Sequence, residues 1–361
     1  MSKKVRWRRF EAPLRFGFKH ASANRRAAAA IIVEVREGGI SGLGEACPRP
    51  YVTGETQESV VAFLSKHAAA FVRQASSIRA LHKLIDDESA LIDRNPAAFC
   101  GLETAVLDLL ARRKGVPVER LLDLPQPGKP LRYSAILGDA SPRKTRLLTT
   151  AYKLAGFRDF KAKLSLDPVR DFQRLSVLPG RSYLRLDANN AFTRAVDCLD
   201  HLARLNRPFW AIEEPLSVGD TEGQKVIAHE AGVQIILDES LVRQSQLARY
   251  ENEANLFVAN LRVSKCGGVI RTIALGQAAQ AAGIDVVLGA HVGETSILTR
   301  AAMTVGQALD REPLAREGAF GRILVTDDIT QSSLRFGYGG RLNPASYRLA
   351  SSAGWGFATG G

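Results

Sequence analysis

Cysteine is sparse in this chain: only Cys47, Cys100, Cys198 and Cys266, with no CxxC pair among them. Thiols scattered in this way argue against a zinc ribbon and a disulfide framework, fit a reducing compartment, and are expected in the core. Long apolar runs are missing too. The longest near the N-terminus, Ala27 to Val33, stops at Glu34, far short of the ~20 residues that span a bilayer. The basic opening Met1 to Arg9 leads into Phe10-Glu11-Ala12-Pro13 and not into an apolar stretch, so it does not read as a signal peptide. A cytoplasmic protein without a membrane partner is expected. The chain also has no basic stripe interleaved with aromatics. Its 49 Lys and Arg exceed its 37 Asp and Glu, for a net charge of +12, but the excess is dispersed apart from the first nine residues, Arg25-Arg26 and Arg112-Arg113-Lys114. Nucleic acid is therefore not an expected partner, and the charge reads as a solvated surface that attracts small anions.

What is present is an ordinary globular composition, 45% hydrophobic and 24% charged over 361 residues, which at roughly 150 residues per domain suggests two or three domains. Lys4 to Phe10, Ala28 to Val35 and Gly42 to Ala46 read as strands, with Gly38-Gly39 as a turn. From Glu55 the apolar spacing turns helical: Val60 to Val72, Ile78 to Ile92, and Pro96 to Arg113. The last has Asn95 as N-cap, proline at its first position and Gly115 just past its end. These elements predict an α+β domain over residues 1–125.

Beyond Pro130 short β-rich runs alternate with helical stretches: Leu131 to Leu137, Asp159 to Leu164, Tyr183 to Leu186, Phe209 to Ile212, Gln234 to Leu237, Ala259 to Val263 and Asp285 to Leu288. The polar residues ending five of them, Lys163, Asp187, Glu213, Asp238 and Arg262, follow one another at intervals of 24, 26, 25 and 24 residues. That interval is the length of one βα unit. Parallel strands need helical crossovers, so residues 130–320 are expected to form a (β/α) barrel. The polar positions fall at its C-terminal face, where such barrels build active sites.

Asp187, Glu213 and Asp238 each follow an apolar strand. Three carboxylates in one low-dielectric site raise one another's pKa unless a cation neutralises them, and Mg²⁺ on three carboxylates keeps positions open for substrate oxygens. Taken singly, Asp187-Ala188-Asn189-Asn190 also reads as an Asx turn and Glu213-Glu214-Pro215 as an acidic loop. In Phe160-Lys161-Ala162-Lys163 both lysines point to the same side. Neighbouring ammonium groups depress each other's pKa, which would make one a general base and leave the other to bind a carboxylate. By parity Arg262 shares the inward face with Asn260, and Lys265 is expected on a loop beyond the strand.

In this set of motifs, in order and at spacing, the chain resembles the enolase superfamily in its muconate lactonizing enzyme branch (the mandelate racemase/muconate lactonizing enzyme family), with dipeptide epimerases and o-succinylbenzoate synthases as relatives. The motifs are Phe160 to Lys163, Leu186 to Asn189, Ile212 to Pro215, Leu237 to Ser240 and Lys265-Cys266-Gly267-Gly268. Gly42 to Ala46, Tyr51 to Glu55 and Leu102 to Leu110 join them in the N-terminal part. The resemblance covers most of the chain. It implies an α/β fold: a modified (β/α)₇β TIM-type barrel under an N-terminal α+β capping domain, with residues 321–361 packing back on the cap and substrate-selecting loops at about 16–26 and 47–55. It also implies Mg²⁺, with Mn²⁺ as a substitute, on Asp187, Glu213 and Asp238. Lys163 would be the base and Lys161 the group holding enolate charge, with Asn189, Glu214 and Glu239 orienting these groups. The substrate would be a small-molecule carboxylate, and a homo-oligomer is expected because such enzymes are commonly homo-oligomeric.

Arg262 departs from the pattern, since most members carry a lysine five residues before the Gly-Gly pair. Arginine stays protonated, which weakens a two-base epimerase and favours a one-base cycloisomerase or dehydratase in which Arg262 grips a carboxylate or enolate. Two-base epimerisation of dipeptides or N-acyl amino acids would need Lys265 to turn inward. A third expectation is a non-catalytic ligand-binding homologue. Dipeptide epimerases commonly carry Asp-x-Asp near the eighth strand, where this chain has Arg316-Glu317-Gly318-Ala319. Glu317, His291, Glu294 and Tyr51 are candidate substrate contacts, and Lys19, His20, Arg25 and Arg26 suggest an anionic one.

Overall fold

A computed structural model of the chain describes residues 3–20, 23–180 and 182–357, with the side chains of residues 16–20 and 23–26 outside that description. The candidate contacts Lys19, His20, Arg25 and Arg26 therefore lie outside the described side chains.

Strands β1 (Lys4–His20), β2 (Ala23–Glu37) and β3 (Ile40–Ala46) form an antiparallel sheet in that order. The first two run well past the ends expected from sequence, pairing as far as His20 with Ala23, and their register shifts between Pro13 and Phe18. Proline cannot donate to a ladder, which hides the period there; the Pro13 carbonyl instead accepts from the Thr326 N–H at 3.0 Å. Helices α1 (Pro50–Thr53), α2 (Gln57–Gln74), α3 (Ile78–Asp87), α4 (Ser89–Arg94), α5 (Pro96–Lys114) and α6 (Val118–Leu121) follow. The single helix expected over 78–92 is thus broken at Glu88. The start of α5 also differs from expectation. The Asn95 amide turns back to the Leu91 carbonyl, and the Glu55 carboxylate accepts the Ala97 and Ala98 N–H groups at 2.8 and 2.9 Å. Strand β3 lies directly on α5. A Cβ on Gly42 or Gly44 would come within 2.2 Å of the Ala105 or Gly101 carbonyl oxygen, so only glycine permits this approach.

The chain then runs through β4 (Leu131–Arg132), β5 (Ala135–Leu137), α7 (Pro142–Leu154), β6 (Asp159–Lys163), α8 (Pro168–Leu175), β7 (Tyr183–Asp187), α9 (Ala195–Ala203), β8 (Ala211–Glu213), α10 (Thr221–Ala231), β9 (Gln234–Leu237), β10 (Phe257–Leu261), α11 (Val263–Cys266), α12 (Val269–Ala281), β11 (Asp285–Leu288), α13 (Ser296–Gln307) and β12 (Arg341–Leu342). Strands β5 to β11 make one parallel sheet in chain order. The eighth place is filled by the extended stretch 314–317. Its Ala315 carbonyl accepts from Leu288 N–H at 3.0 Å and its Arg316 carbonyl from Ser134 N–H at 2.8 Å, closing the barrel. The first expected strand, 131–137, divides in two: β4 leaves the barrel to pair with β12.

Buried carboxylates join the capping domain to the barrel. Glu103 of α5 accepts the Val269 and Ile270 N–H groups that open α12, at 2.6 and 2.8 Å. Glu45 of β3 accepts the Thr295 N–H and hydroxyl at the start of α13, at 3.0 and 2.6 Å. Helix N-termini favour such anions, yet burial pushes both carboxyls up to about 7. The C-terminal segment returns to the cap through Trp355, which is fully buried. Its backbone N–H meets Asp108 at 2.7 Å, and its indole N–H points at the Leu43 and Thr104 carbonyls at 3.2 and 3.1 Å. All four cysteines are buried, and none of them forms a disulfide. Among the described residues no helix is long and apolar enough to cross a membrane.

Candidate active site

Strand β6 is buried along its whole length, and its alternation sends Lys161 and Lys163 inward together. Strands β7 and β8 end on Asp187 and Glu213, and Asp238 directly follows β9, so three neighbouring strands deliver three carboxylates to the same end of the barrel. The two lysines share one oxygen, Asp187 Oδ2, at 3.1 Å from Lys161 and 2.8 Å from Lys163. Lys161 reaches on to Glu213 Oε2 at 2.6 Å and Glu317 Oε1 at 3.1 Å. From the other side Arg262 meets Glu213 Oε1 at 3.3 Å and Asp238 Oδ2 at 2.5 Å, and Asn260 donates to Glu213 Oε1 at 3.1 Å.

The electrostatics differ from the expectation of mutual repulsion within each group of like charge. Burial alone would raise Asp187, but Lys161 and Lys163 hold it well below the usual carboxylate range. Asp238 is likewise lowered, by Arg262 and Lys265, against its burial. Only Glu213 rises, to about 7, because burial and the neighbouring acids outweigh Lys161. Lys161 is not depressed by its neighbour. Burial pulls it down, but Asp187, Glu213 and Glu317 outweigh that and raise it. The anions and cations are interleaved, so each lysine meets carboxylates before it meets the other ammonium.

The side chains that orient this row are explicit. Asn189 donates through its backbone N–H and side-chain amide to Asp187 Oδ1, at 3.1 and 2.7 Å, and its Oδ1 accepts from Lys163 at 2.8 Å. The Asx turn and the inward carboxylate therefore coexist, one oxygen serving each. Glu214 points away from the cavity, accepting the Asp238 N–H at 2.6 Å and the Ser240 N–H and hydroxyl at 2.7 and 2.8 Å, which fixes Asp238. Lys265 stands on α11, not on a loop. Its buried ammonium donates to the Asp238 carbonyl, Asp238 Oδ1 and the Asn260 carbonyl at 2.8, 3.0 and 2.6 Å. All three of its protons are used, behind Asp238.

A cavity of about 420 Å³ opens over the row, and of the candidate site residues whose side chains are described, all but Glu214 and Lys265 line it. Glu239 stands at its edge, raised well above the carboxylate range by burial and by Asp238 and Glu214. His291 Nδ1 lies 3.4 Å from Arg262 Nη1, and Glu294 Oε1 accepts the His291 N–H at 2.7 Å. Glu317 is lowered to about 2, Lys161 and Arg185 overcoming its burial.

Two residues missed in the sequence matter here. Arg185 donates to Ser134, Asp159 and Glu317, each at 3.0 Å; its place two residues before Asp187, on the same inward face, was the available signal. Arg174 of α8 donates to the Lys163 carbonyl at 2.8 Å and the Gly138 carbonyl at 2.7 Å, clamping the ends of β6 and β5. A helix residue bonding strand-end carbonyls leaves no pattern in sequence.

An all-carboxylate donor set suits a hard divalent ion. Here the Lys161 ammonium stands between Asp187 and Glu213, and the Arg262 guanidinium between Glu213 and Asp238, so the row already takes positive charge at both gaps. As arranged, no three Asp, Glu, His or Cys side chains among the described residues converge on one point. The row fits such an ion by chemistry and strand placement, with side-chain cations wedged between its members.

Residues 145–346 match the enolase C-terminal domain-like family, and residues 3–123 match the mandelate racemase / muconate lactonizing enzyme N-terminal domain. An L-Lys-D/L-Arg epimerase of Methylococcus capsulatus is 30% identical over 86% of this chain and 90% of its own. A chloromuconate cycloisomerase of Pseudomonas putida is 25% identical over 84% of this chain and 83% of its own. The crystal structure of a dipeptide epimerase from Enterococcus faecalis, complexed with Mg and L-Leu-L-Tyr, superposes with a TM-score of 0.85 at 24% identity, covering 99% of this chain and 100% of that one. The chain belongs to the enolase superfamily, in its muconate lactonizing enzyme branch, and is one of its enzymes. The expectation of a non-catalytic homologue is set aside.

Proposed function

We propose that this enzyme removes the proton on the carbon next to a substrate carboxylate with one base, Lys163, in a cycloisomerase- or dehydratase-type reaction. The observation that carries the proposal is Arg262, which lies across the carboxylate row from Lys163 and ion-pairs with Glu213 and Asp238. Those acids raise it well above its ordinary range despite burial. A guanidinium so held donates hydrogen bonds and takes no proton. The Lys265 ammonium makes its three hydrogen bonds behind Asp238, so among the described side chains the Arg262 side holds no lysine base.

Asp187, Glu213 and Asp238 would hold Mg²⁺, or Mn²⁺, which when bound supplies Lewis acidity to a carboxylate. Lys163 takes the α-proton. Lys161, held cationic by three carboxylates, stabilises the negative charge that gathers on the carboxylate oxygens. The electron pair left on the α-carbon forms a double bond as the bond from the β-carbon to its leaving oxygen breaks. That oxygen is then protonated by the Lys163 ammonium, which returns the base to its starting state. Arg262 holds the opposite face closed to deprotonation.

The test is α-proton exchange in deuterated water with Mg²⁺ across a library of carboxylates. Exchange on one face supports the proposal, and absence of exchange from every acid overturns it.

A second reading, epimerisation, has two supports: relatives named as epimerases, and His291, the imidazole on the Arg262 side of the cavity. It requires a proton donor on that face, and His291 would supply it. Inversion at the α-carbon, lost in His291→Asn, would favour this reading.

A further inference from the structure

The cavity has two unlike halves. Beside the carboxylate row its wall is charged. Toward α7 and the stretch after Glu317 it is apolar, made by Ile136, Leu148, Tyr152, Phe320, Ile323 and Leu324. None of these six is fully buried, although apolar surface left to water costs about 25 cal/mol per Å². Two of the rings are fixed from behind. Tyr152 stands edge-on to Phe157 with centroids 5.0 Å apart, and Phe320 edge-on to Phe336 at 4.9 Å. The wall is therefore a preformed surface that no described side chain covers completely. At its rim Asp139 and Arg170 pair at 2.7 Å and cancel. Lys144, on the same rim, has no ion pair among the described residues, so the rim carries one net positive charge. On the inner side Glu317 already faces Lys161 and Arg185 and offers no free charge to an incoming cation.

We propose that the substrate is a carboxylate with an apolar arm that lies along the α7 wall and ends in a second anionic group at Lys144. This rests on the reading of Lys161 and Lys163 as the reacting end.

The probes are N-acetyl-, N-hexanoyl- and N-adipoyl-L-alanine, with Mg²⁺ present. They compare a short arm, a longer apolar arm, and an arm of the same length ending in a carboxylate. Each is measured twice, by calorimetric binding and by α-proton exchange. Hexanoyl is expected to bind at least about tenfold more tightly than acetyl, the worth of a few buried methylenes. Adipoyl is expected to exceed hexanoyl about threefold, the worth of an exposed charge pair. Lys144→Glu should reverse the second preference and leave acetyl binding unchanged. Leu148→Asp should remove the first preference while the melting temperature holds. Equal binding of all three acids, or a Lys144→Glu variant with unaltered preferences, overturns the inference. Graded binding without exchange from any acid leaves it standing and overturns the one-base reading instead; exchange without grading does the reverse.

Discussion

Arg262 Nη2 lies 2.5 Å from Asp238 Oδ2, at the opposite end of the carboxylate row from Lys163, whose Nζ is 2.8 Å from Asp187 Oδ2. The two cations approach the same acids from different sides, and the guanidinium is not one that gives up its proton. Deuterium should therefore enter the wild-type substrate with retention at the α-carbon. Arg262→Lys should add a titratable amine on the second face and produce measurable inversion, read by chiral chromatography of recovered substrate. Equal inversion by wild type and variant would contradict this.

Lys163→Ala should lower α-proton exchange by about 10²–10⁴-fold, the usual contribution of a positioned base. Magnesium affinity, measured by calorimetry, should stay within about twofold. If both are lost, Lys163 serves to hold Asp187 in place and the base lies elsewhere.

Chelation of divalent ions should abolish exchange, and Mg²⁺ or Mn²⁺ should restore it. A hundredfold excess of metal over its Kd should stabilise the fold by about 2.7 kcal/mol, visible as a raised melting temperature. Asp187→Asn should remove that rise, and a melting curve of the wild type that ignores metal would refute the assignment of the row.

Glu45 and Glu103 sit at the cap–barrel joint with carboxyls pushed up to about 7 by burial. A group whose pKa is higher folded than unfolded binds more protons in the native state, so stability falls as pH rises between the two values. The melting temperature should accordingly decline from about pH 4.5 to 7 with Mg²⁺ held constant. Glu103→Gln keeps an acceptor for only one of the Val269 and Ile270 N–H groups and lowers stability at every pH, but it cannot ionise and should flatten that decline. An unchanged slope in the variant would place the effect elsewhere.

Most of the barrel was legible because its repeat is regular: one polar residue per βα unit, each ending an apolar strand. The parity of Lys161 with Lys163, and of Asn260 with Arg262, followed from strand geometry alone. What escaped depends on partners distant in sequence. Lys265 looked like a loop residue because nothing local reveals that a helical turn folds its ammonium behind Asp238. Asn95 looked like a cap, yet Glu55, forty residues earlier, takes that role. The eighth barrel position, 314–317, is bonded three times to β11 and once to Ser134, but its Leu-Ala-Arg-Glu sequence is too short and mixed to read as a strand. The raised Lys161 was likewise unreadable, since it depends on three acids from three other segments.

Trp355 fills the space between Leu43, Thr104 and Asp108, so a layer built from residues near 40–110 is completed by one that lies 247 positions beyond Asp108. During synthesis the β3–α5 layer must wait, with a gap where the indole belongs, until the whole barrel has emerged. The capping domain is thus contiguous in sequence only up to a point: one piece of its core arrives from beyond the barrel, so the barrel's chain is threaded between two parts of the same layer.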